Sequence, residues 1–183
     1  MDKIPLKIFE LAVSHIDISN PPKDYTIKLS KKSLFAFFNV SDNDKHSRFK
    51  DAIERMQKQA YFVIQKQDDN QGIYFESIVP IPYVRWNDYS DEVTIEFNHR
   101  IIPYLIDLKT NFTKYAIADI IDLNSKYSII LYKWLSMQYN QFEYYEHKTV
   151  RTQFQLESYK NPKINVKELR VMTDTETDYK RFE

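Results

Sequence analysis

Side chains able to do covalent or metal chemistry are few and scattered in this 183-residue sequence. There is no cysteine, which excludes disulfides, thiolate metal sites and a cysteine nucleophile. The four histidines, His15, His46, His99 and His147, show no metal-ligand spacing. Asp119 and Asp122 lie about one helical turn apart, as a carboxylate pair would, but on a short helix they read as solvated charge. Gly72 is the sole glycine, so a Gly-rich phosphate cradle is absent. No catalytic residue, metal or cofactor is expected, and the chain does not read as an enzyme. The chemistry that remains is electrostatic recognition by lysine and arginine.

Basic and acidic residues number 26 each, for a net charge of zero. Such a balance argues against indiscriminate coating of nucleic acid and leaves a sided binder open, because distribution decides. The distribution is uneven. Residues 45–66 carry six Lys/Arg against two acids, whereas residues 68–98 carry seven acids against Arg85 alone. Lys31, Lys32, Lys45, Arg48, Lys50 and Arg55 are the expected phosphate contacts; the plainer reading is a solvated basic face. Contacts of this kind position a protein on DNA without reading sequence.

These cations need elements to hold them. Ile4, Ile8, Leu11, Ala12 and Ile16 recur at helical spacing, with Asp2 as cap and Pro5 in the first turn. Residues 25–29 alternate as a short strand. Ser30 caps a short helix over 31–38, a turn at 41–44 follows, and a second helix runs over 45–59 with Phe49, Ile53 and Met56 inward. Strands are expected over 61–67, over 73–86 with interruptions at Pro80 and Pro82, and over 92–97. A helix over 99–108 follows, capped by Asn98. Strand, helix, helix and hairpin is the winged-helix order, which presents the second helix of the pair to DNA and uses the hairpin as wing. Here that second helix is the basic one.

A new unit is expected to begin near residue 110. Helical segments over 116–123 and 126–138, a strand around 150–156, and a strand end at 164 leading into a helix read as a second helix-turn-helix, unfinished at residue 183. Thr173, Thr175 and Thr177 fall in its turn, where capping is the expected role. Lys126, Lys167, Arg170, Lys180 and Arg181 are its expected DNA contacts. Tyr74, Phe75, Tyr83 and Trp86 lie on the long strand over 73–86, whose exposed part is expected to form a dimer edge; base stacking is the lesser reading.

No apolar run approaches the length needed to span a bilayer and the first residues lack a signal-peptide layout, so a cytoplasmic protein without membrane contact is expected.

Three stretches, in order, carry a resemblance. They are residues 102–109 with 111–115 (IPYLIDLK, NFTKY), residues 125–132 with Gln138 and Tyr139 (SKYSIILY), and residues 164–170 with Tyr179 and Phe182 (INVKELR). They resemble the initiator replication proteins of iteron-bearing, theta-replicating plasmids. The resemblance implies an α+β fold of tandem winged-helix domains. Residues 1–112 would form the first, serving dimerisation and phosphate contact. Residues 113–183 would form the second, which reads DNA through a recognition helix that is truncated here. It implies a plasmid replication initiator that binds double-stranded origin repeats, autoregulates its promoter, forms a homodimer and meets host replication proteins. Alternatives are a winged-helix transcription regulator and a dimerising interaction module that has lost base-specific binding.

Overall fold

The computed structural model describes residues 2–37, 44–68, 72–111, 117–148 and 152–175. The chain divides into two compact units, Met1–Leu108 and Lys109–Glu183.

In the first unit, helix α1 (Lys3–Ser14) is buried from Pro5 to Ala12. A helix covered on all sides belongs to the core. Asp2 stands at its N-cap but makes no side-chain cap bond. Its amide instead donates to Gln59 Oε1 at 3.0 Å and its carboxylate lies 3.7 Å from Arg55, tying the start of α1 to the far end of α3 (Lys45–Gln59). Between them come β1 (Thr26–Ser30) and α2 (Lys31–Phe37). Helix α3 starts and ends where its sequence pattern predicts, and buries Phe49, Ala52, Ile53 and Met56 along one stripe.

The strands arrange differently from a single meander. Residues 73–86 split at the prolines into β3 (Gly72–Ile78) and β4 (Tyr83–Arg85). Among the described residues, strand β3 pairs with β2 (Phe62–Asp68) alone, as an antiparallel hairpin, whereas β4 and β1 flank β5 (Glu92–Glu96) in a separate antiparallel sheet of order β1-β5-β4. Pro80 and Pro82 lack the amide a continuous ladder needs. Gln57 Nε2 donates to the Ile81 and Pro82 carbonyls at 3.4 and 3.1 Å, anchoring this break to α3. The winged helix is therefore β1, α2, α3 and the β4–β5 hairpin, with β2–β3 inserted ahead of the wing. Ile27, Leu29, Val93, Ile95 and Phe97 of the sheet are buried, as are Ile8, Ile16, Leu34 and Met56, each such burial contributing roughly 1.5–3 kcal/mol. Helix α4 (Ile102–Asn111) follows a turn in which Asn98 Oδ1 accepts the Arg100 amide at 3.0 Å.

The second unit holds α5 (Ile117–Ile121), α6 (Lys126–Glu146), α7 (Gln153–Lys160) and α8 (Val166–Thr173). Ser125 caps α6 through the Ser128 amide at 3.0 Å. Helix α6 runs eight residues past the expected 138, because residues 139–146 contain no glycine or proline to stop it. The strand expected around 150–156 is corrected over residues 153–156, where α7 begins. Thr152 and Gln155 form a reciprocal capping box, which starts a helix there. Residues 164–165 are likewise no strand; Asn165 caps α8 through the Glu168 amide at 2.8 Å. Asp174 ends α8 in the left-handed region at φ 54°, a turn completed by the Thr175 amide on the Arg170 carbonyl. The sheet-bearing first unit and helical second unit make the fold α+β.

Candidate nucleic-acid interface

The helix pair and the wing are held together at two places. At one, the Phe49 ring of α3 stands edge-on to Phe35 of α2 (centroids 6.0 Å apart) and edge-on to Trp86 beside the wing (5.3 Å). Edge-to-face rings at such distances add about 0.5–1.5 kcal/mol beyond area burial. At the other, the end of the wing loop holds the start of α2. The Lys31 amide donates to the Asp91 carbonyl at 2.6 Å, the Lys32 amide to Asp91 Oδ1 at 2.9 Å, and the Ser30 hydroxyl to Asp91 Oδ2. Ser30 also accepts the Ser33 amide, so the cap read from sequence is present, reinforced from 61 residues away. The Ser30 hydroxyl and the Lys32 amide hold the Asp91 carboxyl below its usual range, helped by the Lys31 and Lys32 charges.

This arrangement changes the role of one expected contact. Lys31 is only 6% exposed, and its ammonium donates to the Asn87 carbonyl at 2.6 Å. It ties α2 to the wing and is not placed to meet a phosphate; the sequence pattern could not show a partner 56 residues away. Lys32, Arg48, Lys50 and Arg55 are exposed, and Lys45 is half-buried with its ammonium 5.5 Å from the Phe35 centroid. Arg48 and Arg55, seven residues apart, lie on one edge of α3. Lys50 and Lys58 both reach Glu54 at 3.9 Å; such exposed pairs are worth little and leave both ammoniums accessible.

In the second unit Lys126 opens α6, its ammonium 5.1 Å from the Tyr127 centroid; Lys167 is exposed on α8 and Arg170 half-buried. Lys180 and Arg181 lie outside the described residues, as does Thr177. Thr173 and Thr175 are buried and bonded to each other at 2.9 Å, and Thr173 donates to the Leu169 carbonyl. Asp119 accepts the Tyr132 hydroxyl, joining α5 to α6.

The residue 1–136 segment matches the family model described as "Initiator Replication protein, WH1". The chain belongs to that initiator replication protein family. The crystal structure of the Pi initiator protein in complex with iteron DNA overlays with TM-score 0.62 at 16% identity, covering 94% of this chain and 66% of that chain. This chain thus spans just under two thirds of the Pi chain, and the likeness is one of fold. The WH1 domain of MSBI1.176, a replication protein isolated from a multiple sclerosis patient, matches with TM-score 0.39 and 21% identity over 62% of this chain and 82% of that one. Among curated proteins none matches.

The four residues expected at a dimer edge do not form one surface. Tyr74 and Phe75 are neighbours on β3 and so point to opposite faces of the hairpin. Tyr83 is exposed on β4, in the other sheet, and Trp86 is half-buried against Phe49. Cross-strand register sorts the hairpin further. Phe62, Ile64, Lys66, Tyr74, Glu76 and Ile78 share the face toward the protein, where Phe62 meets Phe9 and Glu76 joins Lys66 (3.0 Å) and Arg100 (3.6 Å). Glu76 raises the Lys66 pKa, chiefly through their hydrogen bond. Val63, Gln65, Gln67, Ile73, Phe75 and Ser77 share the outward face, which carries no charge and exposes 66% of Phe75. Alternation in the sequence marked two faces; which of them is covered was legible only from α1 and Arg100.

Proposed function

We propose that this chain is a plasmid replication initiator that binds the directly repeated iterons of its origin and represses its own promoter. The observation that carries this reading is the exposed cationic edge of α3 formed by Arg48 and Arg55, with Lys50 exposed on the other flank of the same helix, the second helix of a winged-helix pair in a member of the initiator family. The Pi protein, similar in fold, is described in complex with iteron DNA. Lys32, Lys45, Arg48, Lys50 and Arg55 serve as phosphate contacts of the first domain, residues 1–112. Lys126, Lys167, Arg170, Lys180 and Arg181 belong to the second, residues 113–183. The action is binding and assembly in the cytoplasm, not a chemical step on substrate; host replication proteins join on the opened origin.

Self-association accompanies this role. The uncharged outward face of the β2–β3 hairpin, which exposes Val63, Ile73 and Phe75 among Gln65, Gln67 and Ser77, supports a homodimer.

The test is a titration on origin repeats and on scrambled duplex at two salt concentrations. Tight binding restricted to the repeats supports the initiator reading. Weak, sequence-blind binding that falls steeply with salt leaves only the phosphate contacts. No binding at either salt sinks the assignment to α3.

A further inference from the structure

We propose that Asp91 is a positioning residue for DNA binding. From the wing loop it holds the start of α2, so that the helix pair and the wing meet the duplex as one body. This role rests on the DNA-binding reading above.

The bonds run in both directions between wing and helix. Asp91 supplies a carbonyl and both carboxylate oxygens to Ser30, Lys31 and Lys32. Lys31, in return, sends its buried ammonium to the carbonyl of Asn87 at the other side of the loop. Asn87 Oδ1 then accepts the Tyr89 and Ser90 amides at 3.0 and 2.7 Å, and the Ser90 hydroxyl accepts the Glu92 amide at 3.0 Å. The loop between Asn87 and Asp91 is therefore shaped by its own bonds and fastened to α2 at both ends.

The seven described residues of α2 are too few to fix its direction by themselves. The Lys31 and Lys32 amides are taken by Asp91, so α2 offers a duplex its exposed Lys32 side chain. The ring contacts Phe35–Phe49–Trp86 tie α2, α3 and the wing on a second line. With the Asp91 carboxylate removed, the Lys31 amide on the Asp91 carbonyl, the Lys31 ammonium on Asn87 and the ring line remain, but the hold on the Ser30 hydroxyl and the Lys32 amide is lost, so the first turn of α2 is fixed less firmly. Lys32 and the α3 cations then no longer reach phosphates together.

The salt dependence of binding separates positioning from simple loss of structure. The slope of log K against log salt counts the phosphates neutralised, about 0.9 for each. A variant that merely unfolds lowers the active fraction and leaves the slope alone. The full chain carrying Asp91→Ala is expected to bind duplex about tenfold more weakly near 0.1 M salt, with a slope lower by about one phosphate contact or more. Asp91→Asn keeps an oxygen for the Lys32 amide and an NH2 able to donate to Ser30. It is expected to retain the wild-type slope and bind within about twofold. Circular dichroism of each variant gives its folded fraction. A wild-type slope in Asp91→Ala overturns the proposal, as does an equal loss in Asp91→Asn. If the wild-type chain binds no duplex, the DNA reading itself fails and this role falls with it; if it binds and the variants do not differ, only the role of Asp91 fails.

Discussion

The carboxylate of Asp91 accepts the backbone amide of Lys32 at 2.9 Å across 59 residues of sequence. The carboxyl is held below its ordinary value by the Ser30 hydroxyl first and the Lys32 amide second. A depressed acid stabilises the fold above its unfolded pKa, ordinarily near 3.8, and that share is lost as pH falls through the lowered folded value. Asp91→Asn removes the titration. The stability gap between wild type and Asp91→Asn, from urea unfolding, is expected to be constant at neutral and mildly acidic pH and to close as pH drops below about 4. A gap that persists unchanged at pH 2 refutes this assignment.

Arg48 and Arg55 stand on one edge of α3. Arg48→Ala is expected to weaken repeat and scrambled duplex alike and to reduce the salt slope by about 0.9, the mark of one lost phosphate contact. A loss confined to the repeat sequence would instead make Arg48 a base-reading residue.

Phe49 touches both Phe35 and Trp86 and is buried. Phe49→Ala removes a large core ring and is expected to cost about 3–5 kcal/mol in chemical unfolding. Because the same ring joins α2, α3 and the wing, the Trp86 fluorescence should change as well. A loss under 1 kcal/mol would show that the ring line carries little.

Tyr25 adopts φ 57°, held there by its amide on the Pro22 carbonyl and its carbonyl on the Phe97 amide. The left-handed conformation costs an ordinary residue roughly 1–2 kcal/mol, and asparagine less. Tyr25→Asn is expected to raise stability by about 0.5–1 kcal/mol, and Tyr25→Val to lower it. Thermal melting of the two variants decides; a more stable valine variant is the adverse result.

Phe75 points outward from the hairpin and is mostly exposed. Phe75→Lys should change the fold's stability by less than about 0.5 kcal/mol, since nothing buried is lost. Under the proposed homodimer, sedimentation velocity is expected to show the wild type as a dimer and Phe75→Lys as a monomer; a monomeric wild type would refute that proposal. An unchanged dimer would place the self-contact elsewhere.

Much of the first unit was readable along the chain. The helix over 45–59 appears as α3 because its apolar residues recur at helical spacing and Ala60 leaves the helical conformation. The interruption at Pro80 and Pro82 was readable for a local reason, the missing amide. The helix in place of a strand near 153–160 was missed because aromatic residues suit both, and the Thr152–Gln155 capping box outweighed the alternation. Lys31 looked the equal of Lys32 because sequence counts charge but not the direction in which it points.

The sequence by itself determined the local elements, the family and the sign of the charge on α3, since each depends on neighbours within a few residues or on a matched pattern. Tertiary structure alone decided what those elements face. It turned Lys31 inward onto Asn87, set Asp91 at the head of α2, sorted Tyr74 and Phe75 to opposite faces, and placed β3 and β4 in different sheets. The physical reason is range. Helix spacing and proline act within a turn or two, whereas burial and hydrogen bonding are settled by groups 50 to 60 residues away that only the folded chain brings within 3 Å.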